Sequence, residues 1–246
     1  IVIAQDITRY GMDWDGKPHL ADLLEELCKL DFHWIRLHYL YPEWIDDRLI
    51  DVIAREDKIL KYLDIPLQHC NDKILKKMNR RGDKKYLCAL LDKLRERIPG
   101  LVLRTSIIAG LPGEGEEEFD ELCDFLREQK LLRAGVFPYS PEEGTRAAKM
   151  ERVDSEAARR AERIVDIQSE IIDAWNDERQ GDVMEVLCEG FDGQSMLFFG
   201  RSYAESPDID GRIYFSAPRD VAAGEFVPVR ITGAMDGELT GELAEE

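Results

Sequence analysis

Between residue 1 and about residue 140, short runs rich in β-branched and apolar residues alternate with longer stretches whose apolar residues recur at helical spacing. No other feature restricts the fold so severely. The alternation is the sequence form of repeated βα units, which lay strands side by side in a parallel sheet and pack helices over it. Five strands are expected, Ile1–Ala4, His33–Leu37, Tyr62–Ile65, Leu101–Ile108 and Ala134–Phe137. Helices are expected over Leu20–Leu30, where Leu20, Leu23, Leu24 and Leu27 share a face, and over Asp46–Arg55, Asp72–Lys77 and Asp83–Ile98. A further one spans Glu116–Glu128, with Phe119, Leu122, Cys123 and Leu126 on one side. Five such units without closure describe an α/β fold of incomplete (β/α) barrel type.

After Pro141 the pattern changes. A loop rich in Glu, Gly and Thr leads to Asp154-Ser155, a suitable N-cap, and then to a long helix reaching about Gln180 with Ile164, Ile167, Ile171 and Trp175 near one face. Gly181 ends it. Short alternating segments follow at Val183–Leu187, Met196–Gly200, Arg212–Phe215, Phe226–Thr232 and Glu238–Glu242, separated by Gly, Asp and Pro turns, as in a small all-β barrel. The expected organisation is a partial barrel over 1–150, a linking helix over 151–180 and a small β domain over 181–246.

At 246 residues and 44% apolar content the chain can bury a large core without disulfides. The 51 acidic residues outnumber the 33 basic ones, a net charge of −18 that weighs against a surface made for nucleic-acid backbones and favours a basic protein partner or plain solubility, without naming a partner by itself. Cys28, Cys70, Cys88, Cys123 and Cys188 are scattered without C-x-x-C spacing, which suits a reducing, cytoplasmic setting and packing roles rather than metal binding. No apolar stretch approaches the roughly 20 residues that span a bilayer. A chain opening on a strand at its first residue also reads as the middle of a domain.

The segment Leu101–Glu114, LVLRTSIIAGLPGE, pairs a strand with an abrupt Gly-Leu-Pro-Gly turn and an acidic helix start. Gly110 and Gly113 let backbone approach a ligand closely, and ligands of parallel α/β folds sit at such strand ends. Other expected strand ends also collect polar groups: Gln5-Asp6, Tyr39 and Tyr41, Gln68-His69, Arg104 with the Gly110 turn, and Tyr139-Ser140-Pro141. In register around one barrel mouth they form a candidate rim site. His19, His33, His38 and His69 lack metal-site spacing, and only His69 falls at an expected strand end. The cluster Lys73, Lys76, Lys77, Arg80, Arg81, Lys84 and Lys85 runs against the acidic trend; a solvated helix face accounts for it, and an anionic partner or an adjacent domain is the alternative. From Asp182 onward four arginines face fourteen acidic residues. That sign is wrong for a nucleic-acid-binding barrel, despite its aromatic residues, and points to a basic protein target.

The segments IAQDITRYG, RLHYLYPE, DIPLQH, RTSIIAGLPGE and VFPYSPEEGT, in this order, resemble the radical S-adenosylmethionine methylthiotransferases. Gln5-Asp6 before Arg9-Tyr10-Gly11, and the later GRSYAESPDIDGRIYF, resemble the branch that modifies a ribosomal protein rather than transfer RNA. The resemblance covers essentially the whole chain. It implies a radical SAM barrel lacking its first strand and cluster loop, followed by an OB-like TRAM barrel. It also implies addition of a methylthio group to the β-carbon of an aspartate in small-subunit ribosomal protein number twelve. In that chemistry one 4Fe-4S cluster reduces S-adenosylmethionine to a 5′-deoxyadenosyl radical that abstracts a hydrogen, and a second serves sulfur delivery. By motif, Ile108, Gly110, Pro112 and Gly113 resemble the adenine-side wall, Gln68 and Arg104 stand to meet the ribose or methionine part, Gln5 lies beside them, and Tyr139 belongs to a segment near the adenine. The cluster cysteines of the family lie upstream of Ile1, so this chain alone is expected to hold no cluster and to be inactive. Two alternatives stay open, a transfer-RNA methylthiotransferase and a non-enzymatic protein-binding module.

Overall fold

The computed structural model describes residues 1–150 and 156–244. Contacts divide the chain into two compact units, Ile1–Gln168 and Ser169–Glu246. In the first, the parallel strands β1 (Ile35–Leu37), β2 (Ile59–Asp64), β3 (Val102–Ala109) and β4 (Arg133–Pro138) lie in sequential order. The connecting helices are α1 (Met12–Asp15), α2 (Leu20–Cys28), α3 (Asp47–Arg55), α4 (Asp72–Lys77), α5 (Lys84–Arg97) and α6 (Glu116–Gln129). Side-chain caps start three of them: Asp46 accepts from the Leu49 N–H, Asn71 from Lys73 and Ile74, and Asp83 from Tyr86.

The expected strand at Ile1–Ala4 is a correction. Only Val2 pairs, through a single parallel bridge to Leu37, while Ile1 and Ile3 remain exposed. β-propensity is a statement about packing on a covered sheet, and this segment packs too little to extend the ladder. The sheet therefore has four strands rather than five. β2 also begins earlier than expected, because Lys61 interrupts the apolar run in sequence but donates to the carbonyls of Ile53, Ala54 and Glu56 at the end of α3. A lysine there satisfies orphan helix carbonyls.

Alternation along the strands gives the sheet two unlike faces. Leu63, Leu103, Ile107 and Ala109 are buried with the helix residues Leu49, Ile53, Leu91 and Leu122 in the main core. On the opposite, inward face lie Tyr62 and Asp64 of β2, Arg104, Ser106 and Ile108 of β3, and Gly135 and Phe137 of β4; Tyr62 and Asp64 are buried and the others are partly or fully exposed.

The second unit is a closed barrel of β5 (Val183–Asp192), β6 (Leu197–Arg201), β7 (Ile213–Ser216), β8 (Phe226–Met235) and β9 (Glu238–Leu243) in the order β5-β6-β7-β9-β8. Closure leaves no unpaired edge. Its interior is built from Val186, Ile213, Phe215, Val227, Val229 and Ile231, with Trp175 and Tyr203 packed against them. The long helix α7 (Ala157–Glu178) crosses the division between the units. The expected N-cap at Asp154-Ser155 lies outside the described residues.

Candidate active site on the inward face of the sheet

Arg104 was expected at a strand end, and the structure corrects this. It is the third residue of β3, in register with Asp64 of β2 and Arg133 of β4, so it lies on the sheet wall below the rim. Asp64 is fully buried and accepts from Arg104 Nη1 at 3.0 Å, while its other oxygen lies 3.2 Å from His38 Nδ1. A carboxylate so shielded from water requires such partners, and they fix the guanidinium in one orientation. Gly135 leaves room for the arrangement, since a Cβ there would stand 3.3 Å from Arg104 Nη2 and 3.2 Å from the Phe137 ring. Arg36 lies over the Tyr62 ring at 4.4 Å and continues the cationic and aromatic lining toward β1.

Above this layer, the backbone of Gln68 is woven into the strands. Its N–H donates to the Ser106 carbonyl at 2.7 Å, and its carbonyl accepts from the Ile108 N–H at 3.0 Å. Gln68 and Tyr39 both adopt left-handed backbone, with φ of 68° and 61°. Such conformations cost on the order of 1 kcal/mol or more for residues with a Cβ and cluster at ligand sites. Both stand just beyond strand ends, where the rim site was expected.

The turn after β3 is held by Glu114, which is 1% exposed. Its Oε1 accepts from the Gly110 N–H at 2.9 Å and from Arg160 Nη1 of α7 at 2.9 Å. The same Arg160 nitrogen donates to the Glu114 carbonyl. His69 Nε2 lies 3.3 Å from Glu114 Oε2, within ion-pair reach though off hydrogen-bond alignment. Because His69 Nδ1 accepts from the Asn71 N–H at 3.0 Å, a neutral His69 ring carries its proton on Nε2, facing Glu114. Gly110 has φ +79°, and a Cβ on it would overlap Ala157. Glycine is thus required there by helix packing as well as by backbone conformation. Gly113 also has positive φ, with the Lys77 ammonium against it.

The structure brings Gln68, Arg104, Ile108 and the Gly110–Gly113 turn together on and above β3. Tyr139 joins them, its N–H donating to the Ala109 carbonyl at 2.8 Å. Its hydroxyl is shielded from water and has no hydrogen-bond partner among the described residues. Gln5 stands apart: exposed, in the segment that bridges β1, two strands removed from β3. Sequence reasoning missed Asp64, His38 and Glu114. It also missed that His19, His38 and His69 each face a carboxylate, because only His19 has its acidic partners, Asp15 and Asp22, nearby in sequence.

The group fits S-adenosylmethionine in kind: a fixed guanidinium, a partly exposed isoleucine, backbone at a glycine turn and a shielded hydroxyl awaiting a partner. The cysteines do not fit an iron–sulfur cluster. Among the described residues no group of His, Cys, Asp and Glu is placed to hold a metal. Cys70, nearest the rim in sequence, is buried with its thiol donating to the Glu121 carbonyl, and burial pushes its pKa up, away from the thiolate a cluster requires.

A Radical SAM superfamily model matches residues 8–126, and a TRAM domain model matches 181–244. The ribosomal protein uS12 methylthiotransferase RimO of Acetivibrio thermocellus is 43% identical over 249 residues, covering 100% of this chain and 55% of the relative. RimO of Symbiobacterium thermophilum is 47% identical over 250 residues, covering 100% of this chain and 52% of the relative. For RimO of Pelotomaculum thermopropionicum the figures are 48% over 247 residues, 98% and 55%. The chain thus spans about half the length of the curated relatives it matches. Among solved structures, coproporphyrinogen III oxidase (HemN) from Escherichia coli, a radical SAM enzyme, superposes with a TM-score of 0.51 at 21% identity, over 63% of this chain and 39% of that one, which is a likeness of fold. At 43–48% identity to these three RimO proteins over 98–100% of its own length, the chain belongs to the RimO family of radical S-adenosylmethionine methylthiotransferases.

Proposed function

We propose that this chain supplies the S-adenosylmethionine wall and the target-binding barrel of an enzyme that methylthiolates the β-carbon of an aspartate in ribosomal protein uS12. The observation that carries the reading is the convergence of Arg104, Ile108 and the Gly110 turn of β3 with Tyr139 just after β4, whose hydroxyl has no hydrogen-bond partner among the described residues, in a chain 43–48% identical to the three RimO proteins named above. When bound and reduced through a cluster, S-adenosylmethionine supplies the radical that removes the hydrogen. The role of this chain's residues is to bind and orient. Arg104, locked by Asp64, presents its guanidinium toward the carboxylate end of the cofactor. Ile108 and the backbone from Gly110 to Gly113 pack against the adenine side, with Gln68 on the ribose side. The cluster ligands belong to residues other than the five cysteines of this chain, so the chain by itself is inactive.

The barrel's charge supports a basic protein partner. Its arginines are already engaged: Arg201 with Glu189, Arg219 with Glu225, Arg212 over Phe199 at 4.5 Å, and Arg230 on the Gly181 carbonyl. The excess carboxylates remain for a cationic target. No described helix is long and apolar enough to cross a membrane, and a cytoplasmic setting is part of the proposal.

The test is mass spectrometry of purified uS12 after anaerobic incubation with S-adenosylmethionine, reductant and sulfide, using a cluster-reconstituted protein that contains this whole chain. A mass increase equal to one methylthio group replacing hydrogen on a single aspartate is expected. Modification of adenosine in transfer RNA with uS12 untouched would overturn the reading.

A further inference from the structure

The basic cluster between α4 and α5 is the largest sequence feature that the proposed reaction does not use. In the structure its members separate into two groups. Lys73 and Lys84 are neutralised by α6, pairing with Glu118 at 3.0 Å and Glu121 at 3.2 Å. Lys76, Lys77, Arg80, Arg81 and Lys85 have no carboxylate partner among the described residues, and all but the half-buried Arg80 are exposed. Five unneutralised cations within ten residues are out of keeping with a chain of net charge −18. A solvated helix face accounts for lysines. It does not account for the arginines.

The Arg80 guanidinium lies 4.8 Å over the Tyr41 ring, and that of Arg81 lies 5.7 Å over Trp44. Both rings come from the loop that follows β1, whose short 3-10 turn Pro42–Trp44 is tied down by the Tyr86 hydroxyl donating to the Pro42 carbonyl at 2.9 Å. Gly82, directly after the two arginines, has φ +86° and leaves no room for a Cβ against the Tyr86 ring. A guanidinium supported by an aromatic ring loses part of its freedom and can still offer N–H donors to a phosphate. Guanidinium planes stack on bases as well as pairing phosphates. Lys77 continues the cationic track to the Gly113 turn at the mouth of the site.

We infer that Arg80 and Arg81, with the flanking lysines, form a binding surface for single-stranded RNA beside the mouth of the barrel. An acidic protein segment would be satisfied by lysines alone, whereas stacked arginines favour a ligand with flat faces as well as phosphates. The choice of RNA rests on the proposed reading, in which the target is a ribosomal protein and ribosomal RNA surrounds it. The chain would then read protein with its acidic barrel and RNA with this one basic patch.

The experiment is fluorescence anisotropy of a short labelled single-stranded RNA of mixed sequence titrated with this chain, across a series of salt concentrations and without cofactor. Binding is expected in the range of about 1–100 µM, weakening with salt. Each phosphate contact on a single strand contributes about 0.7 to the slope of log affinity against log salt, so Arg80→Gln with Arg81→Gln should lower its magnitude by about 1.4. The surface pair Lys76→Gln with Lys85→Gln should lower the slope similarly but cost less affinity, because it removes charge and not stacking. Absence of binding at low salt, an unchanged slope in the arginine variant of native circular dichroism, or equal displacement by a polyglutamate peptide would each overturn the inference. The readout needs no methylthio transfer, so its failure leaves the uS12 mass measurement untouched, and the reverse also holds.

Discussion

At the scale of single residues, the site depends on two buried carboxylates whose importance lies in what they hold. Asp64 fixes Arg104, and removing the carboxylate takes away the buried ion pair that orients the guanidinium on the sheet wall. Breaking such a pair costs about 3–5 kcal/mol, whereas removing both charges costs less. Asp64→Asn should therefore lower the urea-derived stability of the first unit by about 3 kcal/mol, and adding Arg104→Leu should restore part of it. Strictly additive losses would show that the pair is not coupled. Glu114→Gln keeps an oxygen for the Gly110 N–H but removes one of two carboxylates on Arg160, whose Nη2 still pairs with Glu116 at 3.1 Å, and a loss of about 2 kcal/mol is expected, with faster amide exchange at Gly110. Neither role was legible in the sequence. Asp64 reads as the end of an apolar run and Glu114 as one more acid at a helix start. Their partners are set by the register of β2 on β3 and by α7 folding back to Gly110, separations of 40 and 46 residues. Gly110 and Gly113 were legible because the need for positive φ is written in residue type.

At the scale of elements, caps and periodicity carried the helices well: Asp46 and Asp83 mark the starts of α3 and α5 both in sequence and in structure. Strands were less legible, since a strand is completed by its neighbour. Ile1–Ala4 has the composition but pairs only at Val2, and β2 hides its start behind Lys61. The junction between α1 and α2 carries a pH-dependent feature. His19 Nε2 sits 3.0 Å from Asp15 and its Nδ1 2.9 Å from Asp22. The hydrogen bond to Asp15, then that to Asp22, raises its pKa above the usual 6.5. Because the folded value is the higher one, the contribution of this contact is complete below the unfolded pKa and is lost as pH rises through the folded one. Proton NMR of the His19 ring should give a midpoint above 6.5, and exchange protection around Gly16 and Leu20 should fall as that midpoint is passed. His19→Gln should abolish the pH dependence. A midpoint at or below 6.5 would show that the carboxylates do not hold the ring.

At the scale of the whole molecule, the question is where the second folding unit begins. The sequence places it at residue 181, where the long helix ends, and the TRAM domain model also starts there. The contacts place the division after Gln168, inside α7. Two side chains show why this matters. Trp175 packs against the barrel interior, and Asn176, 1% exposed, donates from Nδ2 to the Gly237 carbonyl at 3.0 Å. Gln168, just before the division, instead donates to the carbonyls of Leu131 and Leu132 in the first unit. The last turns of the helix therefore serve the barrel, and a fragment cut at residue 182 would expose apolar surface that Trp175 covers while leaving the Gly237 carbonyl unpaired. Uncovering part of an indole costs about 2 kcal/mol at 25 cal/mol per Å², and the lost hydrogen bond adds about 1 kcal/mol. A fragment of residues 169–246 should thus melt cooperatively and be about 3 kcal/mol more stable in urea than one of 182–246, while both retain the strand signature by circular dichroism. Equal stabilities would mean that the helix ends are a tether only, and that the barrel closes its core without them.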